Sequence, residues 1–87
     1  MRLEVTRIAQ DGNIRRRLVD TTDRADVGRW ESMISQAPSA PPPYRPAPGD
    51  TVYQIGVDDA TVMVTEGDLT GTLRDLVMAV LAEGEEL

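Results

Sequence analysis

The stretch from Arg7 to Arg17, R-I-A-Q-D-G-N-I-R-R-R, sets one aspartate in an Asp11-Gly12-Asn13 centre and follows it with three consecutive arginines. A guanidinium presents paired N–H donors that match a carboxylate, so Arg15, Arg16 and Arg17 could grip an acidic partner by bidentate contacts. The plainer alternative is a solvated strand face balanced by acids such as Glu4, with Arg15 and Arg17 on the rim of an interface. Elsewhere Asp58, Asp59, Glu66 and Asp68 lack the alternating oxygen ligands of a calcium loop. Turn and cap duty accounts for them better.

The chemistry open to this chain is narrow. It has no Cys and no His, so disulfides, Cys/His zinc sites, thiolate nucleophiles and imidazole bases are all excluded. A carboxylate enzyme would need two acids converging in a pocket, and the acids here fall in turns, caps and the tail. No enzyme, cofactor or metal is expected, and the default is a protein that works by binding. A net charge of −6 argues against nucleic acid as the partner. All 9 basic residues are arginine, which reads as a codon-composition effect. No apolar segment follows Met1-Arg2-Leu3-Glu4 as in a signal peptide, and no run is long enough to span a membrane. The expectation is therefore a cytoplasmic protein with no membrane partner.

These residues need a scaffold, and 87 of them suffice for one domain with a modest core. Leu3–Ile8 and Ile14–Val19 alternate as two short strands, and the intervening Gln10–Asn13 can close an antiparallel hairpin because Gly12 and Asn13 tolerate positive φ. Asp20-Thr21-Thr22-Asp23 offers N-cap side chains for a helix running to about Gln36. Its apolar stripe is Val27, Trp30, Ile34 and Ala37 with Met33 beside them. Residues 37–50 hold every proline and predict an extended surface connection. The P-x-x-P spacing around Tyr44 is a weak recognition pattern, and the preferred reading is a stiff linker with Tyr44 packed back on the domain. Thr51–Val57 and Thr61–Thr65 predict a second hairpin. Leu69, Leu73, Leu76, Val77, Val80 and Leu81 predict a final helix capped by Asp68 or Thr70 and ended by Gly84. Residues 82–87 read as an acidic tail. The expected architecture is α+β: a four-stranded antiparallel sheet with two helices on one face, in the order ββαββα. The other sheet face would lie open to water or a partner.

Several of these segments, in this order, resemble the emfourin family. They are Met1-Arg2-Leu3-Glu4-Val5-Thr6-Arg7, the basic second strand leading into Val19-Asp20-Thr21, Tyr53-Gln54-Ile55 after a Pro-rich loop, and Val64-Thr65-Glu66-Gly67-Asp68-Leu69 followed by Leu73-Arg74-Asp75-Leu76-Val77. Emfourins are protealysin inhibitors, proteins that block thermolysin-like zinc metalloproteases. The resemblance implies the same α+β arrangement and a non-covalent inhibitor whose first hairpin loop enters the protease cleft. Carried onto this chain, the protease-binding loop is Ile8, Ala9, Gln10, Asp11, Gly12 and Asn13, flanked by a rim of Arg7, Arg15 and Arg17. In the family that loop reads Arg-x-Gly-Gly, then Phe or Leu. Here Ala9 and Gln10 replace the glycines, and Asp11 stands at or beside the apolar anchor. Burying one Leu or Phe contributes about 1.5–3 kcal/mol, and an aspartate there would be desolvated unless it met a cation or the metal. Asp11 could ligate the protease zinc through a carboxylate oxygen, or Ile8 could supply the apolar contact. Thr70-Gly71 also replaces a Pro pair frequent before the last helix. The alternative is a non-inhibitory protein–protein interaction module of the same fold, working as a monomer or a weak homodimer.

Overall fold

The computed structural model describes residues 1–22, 24–36 and 44–86. The chain is α+β, with two helices and a five-stranded antiparallel sheet in the order β4-β3-β1-β2-β5. Strands β1 (Arg2–Ile8) and β2 (Ile14–Asp20) form the first hairpin, and β3 (Val52–Val57) and β4 (Ala60–Thr65) the second. The two hairpins join through β1 and β3, which places β1 at the centre of the sheet. Helix α1 (Val27–Gln36) lies between the hairpins in sequence. Helix α2 (Gly71–Glu83) follows a single 3-10 turn at Glu66–Asp68.

The register sorts side chains onto two faces, as a period of two requires. Leu3 lies across from Val19 and Val57, and Val5 across from Ile55, while Tyr53 lies across from Val64. These six positions other than Val57 are buried, as are Leu69, Leu73, Leu76, Val77 and Val80 around α2, and together with Trp30 they make one core. Alternation in the strands and the apolar stripe of α2 both point at this core, so local pattern and global packing agree. The opposite face carries Arg2, Glu4, Thr6 and Ile8 on β1, with Arg16 and Glu4 joined there by an ion pair. On this face Thr6 is buried between its register neighbours Arg16 and Gln54.

The sheet has a fifth strand that the expected four-strand order ββαββα lacks. In place of the acidic tail expected at 82–87, the described residues 82–86 are ordered elements. Ala82 and Glu83 complete α2, and Glu85–Glu86 form β5, antiparallel to Arg17 and Leu18 of β2. Gly84 makes the transition possible for a spatial reason. A Cβ there would sit 2.6 Å from the Val80 carbonyl oxygen and 3.0 Å from Arg17 Cβ, so only hydrogen fits. Two glutamates carry little intrinsic strand propensity. It is the unpaired outer edge of β2 that makes them a strand.

Three further local expectations change. Helix α1 begins at Val27, because Asp20 spends its carboxylate on the Thr22 N–H and hydroxyl and the Asp26 carbonyl accepts the first helical N–H, from Arg29. Val27, expected on the apolar stripe, is exposed at this end of the helix. Tyr44 is 42% exposed and is not packed back on the domain. The Pro41-Pro42-Pro43 run and Ala37 of the expected stripe lie outside the described residues, as do Asp23 and Leu87.

Candidate functional site

The first hairpin extends the β1–β2 ladder as far as Ile8 opposite Ile14, and only five residues remain to reverse the chain. The Ala9 N–H donates to the Asn13 carbonyl at 2.9 Å, and the Gly12 N–H to the Ala9 carbonyl at 3.0 Å. Gly12 adopts φ +89°, the left-handed region that a side chain would strain, with open space around it. Asn13 shares the turn without positive φ. Its backbone N–H donates to Asp11 Oδ1 at 3.0 Å and its side-chain Nδ2 to Asp11 Oδ2 at 3.1 Å. This Asx-type closure fixes the tip from within.

Both oxygens of Asp11 are therefore engaged inside the loop. The Asn13 backbone N–H is the main cause holding the Asp11 carboxyl below its ordinary pKa, and the Asn13 amide and the charge of Arg7 add to it. The carboxylate stays ionised and turned onto Asn13. That geometry leaves apolar contact to other side chains. Ile8 is half-buried, while Ile14, its direct cross-strand neighbour, is 62% exposed. Val52 pairs with Ile8 on the other side of β1, and Met63 lies one row along the same face. The open face is thus apolar at the hairpin end and charged at the other, where Arg2, Glu4 and Asp58 border a shallow depression above Gly56 of about 230 Å³.

Of the expected loop residues, Gln10, Asp11, Gly12 and Asn13 form the exposed tip, and Ile8 and Ala9 are half-buried at its base. Gln10 reaches the Ala47–Asp50 turn, where its Oε1 lies 2.9 Å from the Cβ position that Gly49 leaves empty. The rim arginines Arg7 and Arg15 face each other across β1 and β2, on the same side of the sheet as Arg17. Ile14 was not among the expected contact residues. The signal for it was present in the sequence, since Ile14, Arg16 and Leu18 share one face of β2 and that face points away from the helices.

A second polar cluster ties the helices together. Trp30 Nε1 donates to Asp26 Oδ2 at 3.1 Å, and the Arg24 guanidinium grips Asp26 with contacts of 2.8 and 3.1 Å. Arg29 bonds Glu83 at the end of α2, 2.8 Å away, and both Arg24 and Arg29 lie over the Trp30 ring. The bond from Arg24 is the leading cause that lowers the Asp26 carboxyl from 3.8 to about 2. These groups serve the α1–α2 contact and are satisfied among themselves, so they mark structure rather than a binding site.

No family model matches the chain, and no curated protein or solved structure matches it. Among the described residues, no helix is long and apolar enough to cross a membrane.

Proposed function

We propose that this protein is a non-covalent inhibitor of a thermolysin-like zinc metalloprotease and presents the β1–β2 hairpin to the active-site cleft. The observation that carries this reading is the hairpin itself. Its tip is tied by four internal hydrogen bonds around Ala9, Asp11, Gly12 and Asn13, so little ordering entropy remains to be lost on binding. Ile14 beside it is an exposed apolar side chain of the kind such clefts accept. With Asp11 occupied by Asn13, zinc ligation through its carboxylate is the weaker variant. Apolar contact through Ile8 and Ile14 is the stronger one. Arg7, Arg15 and Arg17 lie on the other face of the hairpin from Ile8 and Ile14, and on this reading they border the cleft from that side.

The test is titration of the purified protein against thermolysin-like enzymes from its own source. Stoichiometric loss of peptidase activity is expected, and undiminished activity at micromolar inhibitor overturns the reading. The alternative, an interaction module without inhibitory activity, is favoured by the apolar end of the open sheet face at Ile8, Ile14, Val52 and Met63. Asp11→Phe separates the two. Inhibition gained only in that variant means a competent fold with a non-inhibitory native loop, and light scattering reports whether the native chain pairs with itself.

A further inference from the structure

The chain places like charges against one another where they repel. Arg7 and Arg15 are directly opposite in the β1–β2 register, and Arg17 follows on the same face. Cross-strand neighbours of like sign destabilise a sheet. Neither Arg7 nor Arg15 has an acid within ion-pair distance among the described residues, although Arg16, Arg24 and Arg29 each have one. Arg17 reaches Glu86 only at 4.0 Å, and its Nε is buried without a hydrogen-bond partner. In a chain of net charge −6, Arg7 and Arg15 are an unneutralised basic pair across β1 and β2, with the weakly paired Arg17 next along β2.

The same strand is a partly open edge. Beyond Arg17 and Leu18, which pair with β5, the stretch Ile14–Arg16 has no strand on its outer side among the described residues. The opposite sheet edge, β4, reads Ala-Thr-Val-Met-Val-Thr and carries no charge. The chain itself shows what β2 accepts: Glu85–Glu86, two glutamates laid antiparallel on an arginine-rich strand. Backbone pairing at a sheet edge supplies affinity, and side chains of matching charge supply selectivity.

We propose that the outer edge of β2 is a docking strand for an extended acidic segment of a partner protein, which pairs with Ile14–Leu18 in competition with the chain's own Glu85–Glu86. The incoming strand runs in the direction of β5, and its carboxylates meet Arg15 and Arg17 on one face and Arg16 on the other. A carboxylate-bearing peptide fits better than a nucleic acid, because the resident ligand is carboxylate and the net negative charge of the chain repels a long polyanion. The site shares Ile14, Arg15 and Arg17 with the proposed inhibitory surface, but its test reads peptide binding and amide shifts and stands whether or not a protease is inhibited.

The experiment uses the full chain and a labelled peptide of its own residues 81–87, Leu-Ala-Glu-Gly-Glu-Glu-Leu. The expected result is binding that weakens with added salt and shifts the backbone amide signals of Ile14–Leu18. Arg15→Gln and Arg7→Gln each weaken it several-fold, and Glu85→Gln with Glu86→Gln in the protein strengthens it by disarming the competitor. Folding of each variant is read from the same spectra. The proposal is overturned if millimolar peptide leaves those amides unmoved, or if neither arginine variant alters affinity. It is also overturned if the peptide with glutamine for each glutamate binds equally well, or if a single-stranded oligothymidine displaces the acidic peptide, which would define a phosphate site instead.

Discussion

Trp30 donates its indole N–H to the carboxylate of Asp26, one helical turn earlier, at 3.1 Å. The ring is fully buried and the acceptor sits at the surface, so this bond fixes how deep α1 seats against the core. Trp30→Ala removes the largest core side chain and should destabilise by about 3–5 kcal/mol. For a domain of this size that approaches the whole stability. Chemical denaturation followed by circular dichroism should find the variant largely unfolded without denaturant.

Acid should loosen the same contact. The Asp26 carboxyl is lowered from 3.8 to about 2 in the folded protein, so it contributes stability that is full above its unfolded value and is lost as pH falls through its folded value. Asp11 and Asp20 are shifted in the same direction. Thermal unfolding should therefore be level above about pH 5 and decline between about pH 4 and pH 2. Asp26→Asn should be less stable at neutral pH and should show a shallower decline. A parallel curve with the same slope would remove Asp26 from this role.

At the loop tip, Gly12 is the position that only glycine occupies without strain. Gly12→Ala, at φ +89°, should cost about 1 kcal/mol while leaving open space around the new methyl group. In the inhibition assay this variant should lose affinity through a less rigid tip. Equilibrium unfolding and inhibitor titration of the same preparation would separate the two effects.

Gly84→Ala is the corresponding test of β5. The methyl group would meet the Val80 carbonyl oxygen at 2.6 Å, against backbone that cannot yield cheaply. Overpacking of this kind costs about 1–3 kcal/mol. Amide hydrogen exchange should show Glu85 and Glu86 unprotected in the variant, with the β1–β3 ladder retaining its protection.

Relief of repulsion should be measurable on its own. Arg7→Gln or Arg15→Gln should raise stability by about 0.5 kcal/mol, since each removes one member of a like-charge cross-strand pair. The gain should shrink as salt is added.

Most of the scaffold was legible because local pattern and burial agree. The Leu3/Val5 alternation, the hairpin around Gly12, buried Trp30 and the stripe from Leu69 to Val80 all appear where periodicity puts them. What was not legible depends on neighbours distant in sequence. Glu85–Glu86 has no strand signature, and its pairing follows from the outer edge of β2, nearly 70 residues earlier. The start of α1 was misplaced because four polar residues at 20–23 compete as caps, and the contest is decided by which backbone donors Asp20 and Asp26 meet. At the candidate site, the location of the turn was readable but the inward engagement of Asp11 was not. That depends on Asn13 presenting two donors at once.

The central position of β1 has a consequence for biosynthesis. The strand leaves the ribosome ahead of the elements that pack on it, and β2 follows at once to cover one of its edges. Its other edge waits for β3 at residues 52–57, and its Leu3/Val5 face waits for α2 at residues 71–83. Until then the emerging chain exposes an apolar strand with a free edge, the surface on which nascent chains aggregate. The arginines of the first hairpin keep that early segment charged and hydrated while it waits, so the basic strand protects the chain before it has any partner to meet.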